Sequence, residues 1–158
     1  MSIIIGFDPG IADTGFGVIS EENQKLRCLE YGSIKTSSKL SLSERLAIVY
    51  DNVQMILKKY SPTLVCVEEL FFSKNVKTAM IVGQARGVVL LAIEQAGLPM
   101  REFTPNQVKQ AVSSYGGAAK SQVQKMVQML LRLEELPEPD DAADALAIAI
   151  CGSGRINR

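Results

Sequence analysis

Apolar and polar positions divide the chain into ten periodic segments. Residues 2–8 (SIIIGFD) are β-branched and apolar and predict a buried strand, which Asp8-Pro9-Gly10 breaks. Residues 14–19 (TGFGVI) and 27–34 (RCLEYGSI) predict two more strands, at a spacing that suits an antiparallel meander. Leu42, Leu46, Val49, Val53, Ile56 and Leu57 recur at helical spacing and predict a helix over 41–59. Ser41 or Ser43 can cap it, and Ser61-Pro62 stops it. Residues 64–67 (LVCV) predict a fourth strand, and helix-to-strand order suggests that it pairs parallel to the first.

Residues 75–96 predict a long helix, with Val76, Met80, Val82, Val88 and Leu91 mostly in the core and part of that face left for a dimer interface. Gly83 and Gly87 cost this helix stability and point to close packing against another element. A short fifth strand follows at 99–103, then helices over 105–113, 120–132 and 141–151. A flexible turn at 115–118 and a proline-bearing loop at 134–140 separate the helices, and the tail from Gly152 is expected to fray. The pattern predicts one α/β domain over residues 1–158: a five-stranded mixed sheet, three strands in a meander and two parallel, flanked by helices.

Composition narrows the chemistry. The 158 residues contain no histidine, which removes histidine bases, histidine triads and histidine-ligated zinc. Cys28, Cys66 and Cys151 are widely spaced and odd in number, as expected of reduced thiols in a cytoplasmic protein. No apolar stretch reads as membrane-spanning, and the start of the chain lacks the basic segment of a signal peptide. Net charge is zero, yet residues 73–132 carry eight basic and two acidic side chains. A basic block beside acidic clusters suits a protein that holds metal with one patch and phosphates with another.

The candidate chemistry lies in four acids. Asp8 ends the first strand, Glu68 ends the fourth, and Asp141 and Asp144 share one face of the last helix at i, i+3 spacing. If strands one and four are neighbours, Asp8 and Glu68 lie side by side. Carboxylates gathered at buried strand ends are poor for stability unless a cation pairs them. Oxygen ligands suit Mg²⁺ or Mn²⁺, and two such ions can cut a phosphodiester. Read singly, Asp8 beside Pro9-Gly10 is an ordinary turn aspartate. Asp140, Asp141 and Asp144 are ordinary acids for a helix N-terminus, a reading that fits Asp140 best and Asp144, on a nearly all-apolar helix, least. Strand alternation does not choose between Glu68 and Glu69.

The element order and the acids are similar to those of ribonuclease H-like nucleases. Residues 5–10 (IGFDPG) with 14–18 (TGFGV), 67–71 (VEELF) with Lys74-Asn75, and 83–88 (GQARGV) resemble the RuvC family of Holliday-junction resolvases. So do 107–110 (QVKQ), 120–124 (KSQVQ) and 141–149 (DAADALAIA), in the family's order over nearly the whole chain. The resemblance implies a homodimer that binds a four-way DNA junction and makes paired Mg²⁺-dependent nicks in opposed strands of like polarity. Two ions per site are implied, with Mn²⁺ able to substitute. By motif match Asp8, Glu68, Asp141 and Asp144 are the catalytic, metal-binding set, and Lys109 and Lys120 contact DNA. Phe71 matches an aromatic that stacks near the junction, and Lys74 and Arg86 join the candidate DNA contacts. The implied partners are the junction-binding protein RuvA and the branch-migration motor RuvB. The same acids also fit a ribonuclease H acting on RNA–DNA hybrids. The 8–15 loop alone resembles the phosphate loop of actin-like ATPases, which need a second such loop.

Overall fold

The computed structural model describes residues 1–69, 75–113 and 116–154. Among these, five strands form one sheet: β1 (Ser2–Asp8), β2 (Asp13–Glu22), β3 (Lys25–Lys35), β4 (Leu64–Glu68) and β5 (Met100–Phe103). The helices are α1 (Leu42–Tyr60), α2 (Val76–Gln95), α3 (Pro105–Ser113), α4 (Lys120–Leu131) and α5 (Asp140–Cys151). The sheet order is β3-β2-β1-β4-β5, with β1, β2 and β3 antiparallel and β1, β4 and β5 parallel. This is the mixed sheet that the hydrophobic pattern predicts.

Period-two alternation sorts the strands onto two cores. Ile5 and Phe7 of β1, Val18 of β2, and Val65 and Val67 of β4 face one way, onto Val49, Val53 and Leu57 of α1 and Val89, Ala92 and Ile93 of α2. Ile4, Ile19 and Cys66 face the other way, onto α5 and the inner faces of α3 and α4. Helix α5 is the central element of that second layer, buried along Ala142, Ala143 and the whole run from Ala145 to Cys151.

Glycines set how closely α5 lies on the sheet. A Cβ on Gly6 would sit 2.0 Å from the Ala145 carbonyl oxygen, and one on Gly15 1.9 Å from that of Asp141. A Cβ on Gly17 would sit 2.7 Å from the Leu146 nitrogen. Glycine inside a strand is costly unless another backbone must come close, and here one does.

Several expectations are corrected. Strands β2 and β3 run longer than predicted because the hairpin closes on two residues, Asn23 and Gln24, both at positive φ (49° and 63°). A two-residue turn of that kind matches the twist of the strands without a glycine signal to announce it. The core face of α2 is Ala79, Ala85, Val89, Ala92 and Ile93. Val76, Met80 and Leu91 instead point outward, at 69, 63 and 50 % exposure. Gly87 has no neighbour among the described residues that a Cβ would touch, so it does not mark close packing against any of them. With 20 residues and a mean hydropathy of 1.5, α2 is also long and apolar enough, by length and composition, to cross a membrane. The sequence expectation missed this; its small inner residues are seated in the α1–sheet core. The start of the tail packs back on the domain: Ser153 is buried, its Oγ donates to the Ile150 carbonyl at 2.7 Å, and Gly154 N–H donates to Glu21 at 3.1 Å, while residues 155–158 lie outside the described residues.

Candidate active site

Register brings the acids together. Phe7 pairs with Val67 in the parallel β1–β4 ladder, so one step further Asp8 stands beside Glu68. Both belong to the face that carries Ile4, Gly6 and Cys66, the face covered by α5. The two glutamates at the end of β4 differ in surroundings: Glu68 is half-buried on the α5 side, and Glu69 is exposed. Asp8 also pairs across β2 with Gly15, the glycine beneath Asp141. One carboxylate oxygen each from Asp8, Asp141 and Asp144 lies within 4.8 Å of the others.

Local bonds fix the supporting backbone. Thr14, fully buried, donates its hydroxyl to the Gly10 carbonyl at 2.6 Å and so holds the turn that follows Asp8. The end of β4 is pinned on two sides. Glu69 N–H donates to the Phe103 carbonyl at 2.8 Å, and Arg86 Nε donates to the Glu68 carbonyl at 3.2 Å. The Arg86 guanidinium also bonds the Glu102 carboxylate. Arg86, singled out as a DNA contact, is thus half-buried and engaged with the strand that carries Glu68.

The electrostatics report a crowded anionic site. Burial, then the charges of Asp144, Glu68 and Asp141, push the Asp8 carboxyl up to about 8, against a smaller opposing pull from Lys120. Burial also raises Glu68, with Asp144 adding to it and Lys109 opposing. Asp141 is raised by burial and by Asp13, and Asp144 chiefly by burial, which Lys120 opposes. Lys120 opens α4 and reaches Asp140 at 3.1 Å and Asp144 at 3.7 Å. Glu68 and Asp144 line one cleft of about 220 Å³ with Lys109 and Lys120, cations beside anions. Phe71 and Lys74 lie outside the described residues.

Two acids outside the predicted set also stand here. Asp13 accepts a hydrogen bond from Ser33 Oγ at 2.9 Å and bears on Asp141. Asp140 accepts from Gln124 Nε2 at 2.8 Å as well as pairing with Lys120. Nothing in the residue pattern separates either from ordinary turn and helix-start aspartates.

The family model for the crossover junction endodeoxyribonuclease RuvC matches residues 4–152. The chain belongs to the RuvC family. It is 56 % identical over 158 residues to the RuvC of Halothermothrix orenii, covering 99 % of this chain and 96 % of that one. To the Brevibacillus brevis RuvC it is also 56 % identical, covering 93 % and 89 %. Among solved structures, Thermus thermophilus RuvC in complex with Holliday junction substrate superposes with a TM-score of 0.90 at 40 % identity, over 96 % of this chain and 92 % of that one. A yeast mitochondrial Holliday junction resolvase shares the fold at a TM-score of 0.66 and 14 % identity, over 94 % and 77 %. The ribonuclease H-like architecture expected from the order of elements is therefore that of the RuvC family.

Proposed function

We propose that this RuvC-family chain resolves four-way DNA junctions by paired, symmetric, Mg²⁺-dependent nicks in strands of like polarity, serving recombination and repair. The observation that carries this reading is the convergence of Asp8, Glu68, Asp141 and Asp144 from two neighbouring strands and one helix. Three of these acids place oxygens within 4.8 Å of one another. The donor set fits a hard divalent ion. It offers only oxygens, its carboxylates repel one another, and Asp8 holds a proton to about pH 8 when nothing else neutralises it. Mg²⁺, or Mn²⁺ in its place and two ions per site, would be held by these four residues. Bound there, it supplies Lewis acidity for activating water and neutralising charge on the phosphate.

The chain's own residues do the rest. Lys109 and Lys120, on α3 and α4 at the mouth of the cleft, attract and orient the DNA backbone. Lys120 stands close enough to Asp144 to meet a phosphate held at the acids, where its charge would stabilise the transition state. Arg86 keeps the end of β4, and with it Glu68, in place. We assign Phe71 and Lys74 to junction contact by motif match alone. One nuclease domain, a cytoplasmic location and the partners RuvA and RuvB complete the reading on the strength of family membership.

The outer face of α2 supports a homodimer. Val76, Met80, Gly87 and Leu91 recur at helical spacing on its outer face, an apolar stripe left uncovered by the described residues of one protomer. Leu91→Arg is expected to shift the protein from dimer to monomer in sedimentation equilibrium. The variant should nick single strands of a junction without pairing the cuts.

Protonation and metal must compete. Asp8 ordinarily loses its proton near 3.8, and in the folded, metal-free protein near 8. Between those values the folded state holds the extra proton, so metal-free stability falls as pH rises through that window. A divalent ion must expel that proton. Mg²⁺ affinity is therefore expected to rise between pH 6 and 8. Calorimetry at pH 7 in buffers of different ionisation enthalpy should show proton release on binding.

The reading is tested by offering a labelled synthetic four-way junction, a linear duplex and an RNA–DNA hybrid, each with Mg²⁺ and with EDTA. Paired symmetric metal-dependent cuts on the junction alone support it. Cutting of the hybrid would move the chain to ribonuclease chemistry on the same fold.

A further inference from the structure

Asp140 is the first residue of α5 and stands outside the metal cluster, yet both its oxygens are used. Its Oδ2 lies 3.1 Å from Lys120 Nζ, and its Oδ1 accepts from Gln124 Nε2 at 2.8 Å. Lys120 and Gln124 are one turn apart on the same face of α4. The same ammonium lies 3.7 Å from Asp144, which is one turn beyond Asp140 on α5. Lys120 is therefore shared between two carboxylates. One is exposed and anchored by Gln124; the other belongs to the candidate metal set.

An ammonium beside several crowded carboxylates is itself a counter-cation. Left to the local field it would move toward the greatest density of negative charge, which is the cluster of Asp8, Asp141 and Asp144. There it would neutralise the oxygens that a divalent ion needs.

We propose that Asp140 is a positioning residue that holds the Lys120 ammonium at the rim of the carboxylate cluster, so that lysine does not compete with the divalent ion for Asp144. The Gln124 hydrogen bond orients Asp140 for this, and the pair ties the start of α4 to the start of α5. The inference rests on the metal-site reading above and adds a device that sets metal affinity.

The test is calorimetric titration of the full chain with Mn²⁺, without DNA, in wild type, Asp140→Asn, Lys120→Gln and the double variant. The Asp140→Asn substitution keeps an acceptor for Gln124 and removes only the charge that holds Lys120. It is expected to weaken Mn²⁺ binding about threefold to fivefold, the scale of an exposed ion pair. Lys120→Gln should remove that effect, so that the double variant binds Mn²⁺ as tightly as Lys120→Gln alone. If Asp140→Asn weakens binding equally in both backgrounds, Asp140 acts as a distant negative charge and the proposal is overturned. Wild-type affinity in Asp140→Asn would overturn it too. Failure of wild type to bind Mn²⁺ would instead remove the metal-site reading on which the proposal stands.

Discussion

Asp8→Asn is expected to reduce junction cleavage by roughly a thousandfold or more, while junction binding measured in EDTA or Ca²⁺ stays near wild type. Asp8 is the carboxylate closest to all the others in effect: Asp144, Glu68 and Asp141 all raise it. Its loss removes a proposed metal ligand from the centre of the set, whereas Lys109 and Lys120, proposed to approach the DNA backbone, stand on α3 and α4. The substitution has a second consequence that an ordinary catalytic knock-out lacks. In the metal-free protein the ionised Asp8 is destabilising, so Asp8→Asn should melt higher than wild type at pH 8.5. The advantage should shrink as pH falls below about 8 and be small near pH 4, where the unfolded chain also takes up the Asp8 proton. The gain in melting temperature that Mg²⁺ gives wild type should shrink in the variant. Thermal denaturation at the two pH values, with and without Mg²⁺, checks all three.

Gly15→Ala is expected to damage the site without replacing any of the four acids. Its Cβ would fall 1.9 Å from the Asp141 carbonyl oxygen and 2.4 Å from that carbonyl carbon, both backbone atoms of the helix that carries two of the four acids. Backbone cannot swing aside as a flexible side chain can, so the start of α5 must lift from the sheet. Overpacking of this kind costs about 1–3 kcal/mol or more, and a shift of about 1 Å in catalytic groups can cost on the order of a hundredfold in rate. Gly32→Ala is the control. Among the described residues its Cβ would meet only the Phe16 ring, at 3.1 Å, away from α5. Gly15→Ala should lose both melting temperature and cleavage, and Gly32→Ala should keep most of its cleavage. Equal cleavage by the two would mean that α5 is not seated by that glycine.

The contrast between Asp8 and Gly15 shows what sequence could reveal. Asp8, Glu68, Asp141 and Asp144 were legible because each sits at a boundary that periodicity marks: the end of an apolar run, or the start of a helix. The neighbouring of β1 and β4 followed from element order. Glu68 could not be separated from Glu69 because β4 is short and buried on both faces, so Val65, Cys66 and Val67 show no alternation. The structure separates them through Cys66, which faces α5 and puts Glu68 on the same side. Helix α2 misled for a related reason. It is apolar on nearly every side, and its true inner face is built of small residues, so the larger Val76, Met80 and Leu91 looked like core. The roles of Gly6 and Gly15 depend on how far another backbone stands, which no local pattern encodes. Asp140 and Gln124 meet only because α4 and α5 begin side by side.

Divalent-ion affinity across the four carboxylates is the decisive measurement, because acids from β1, β4 and α5 must act as one metal centre. Mn²⁺ would be titrated calorimetrically into wild type and into Asp8→Asn, Glu68→Gln, Asp141→Asn and Asp144→Asn at pH 8. Every substitution should weaken binding or lower its stoichiometry, with Glu69→Gln indistinguishable from wild type. Wild-type binding by the Glu68 variant or by either helix variant would contradict the single centre.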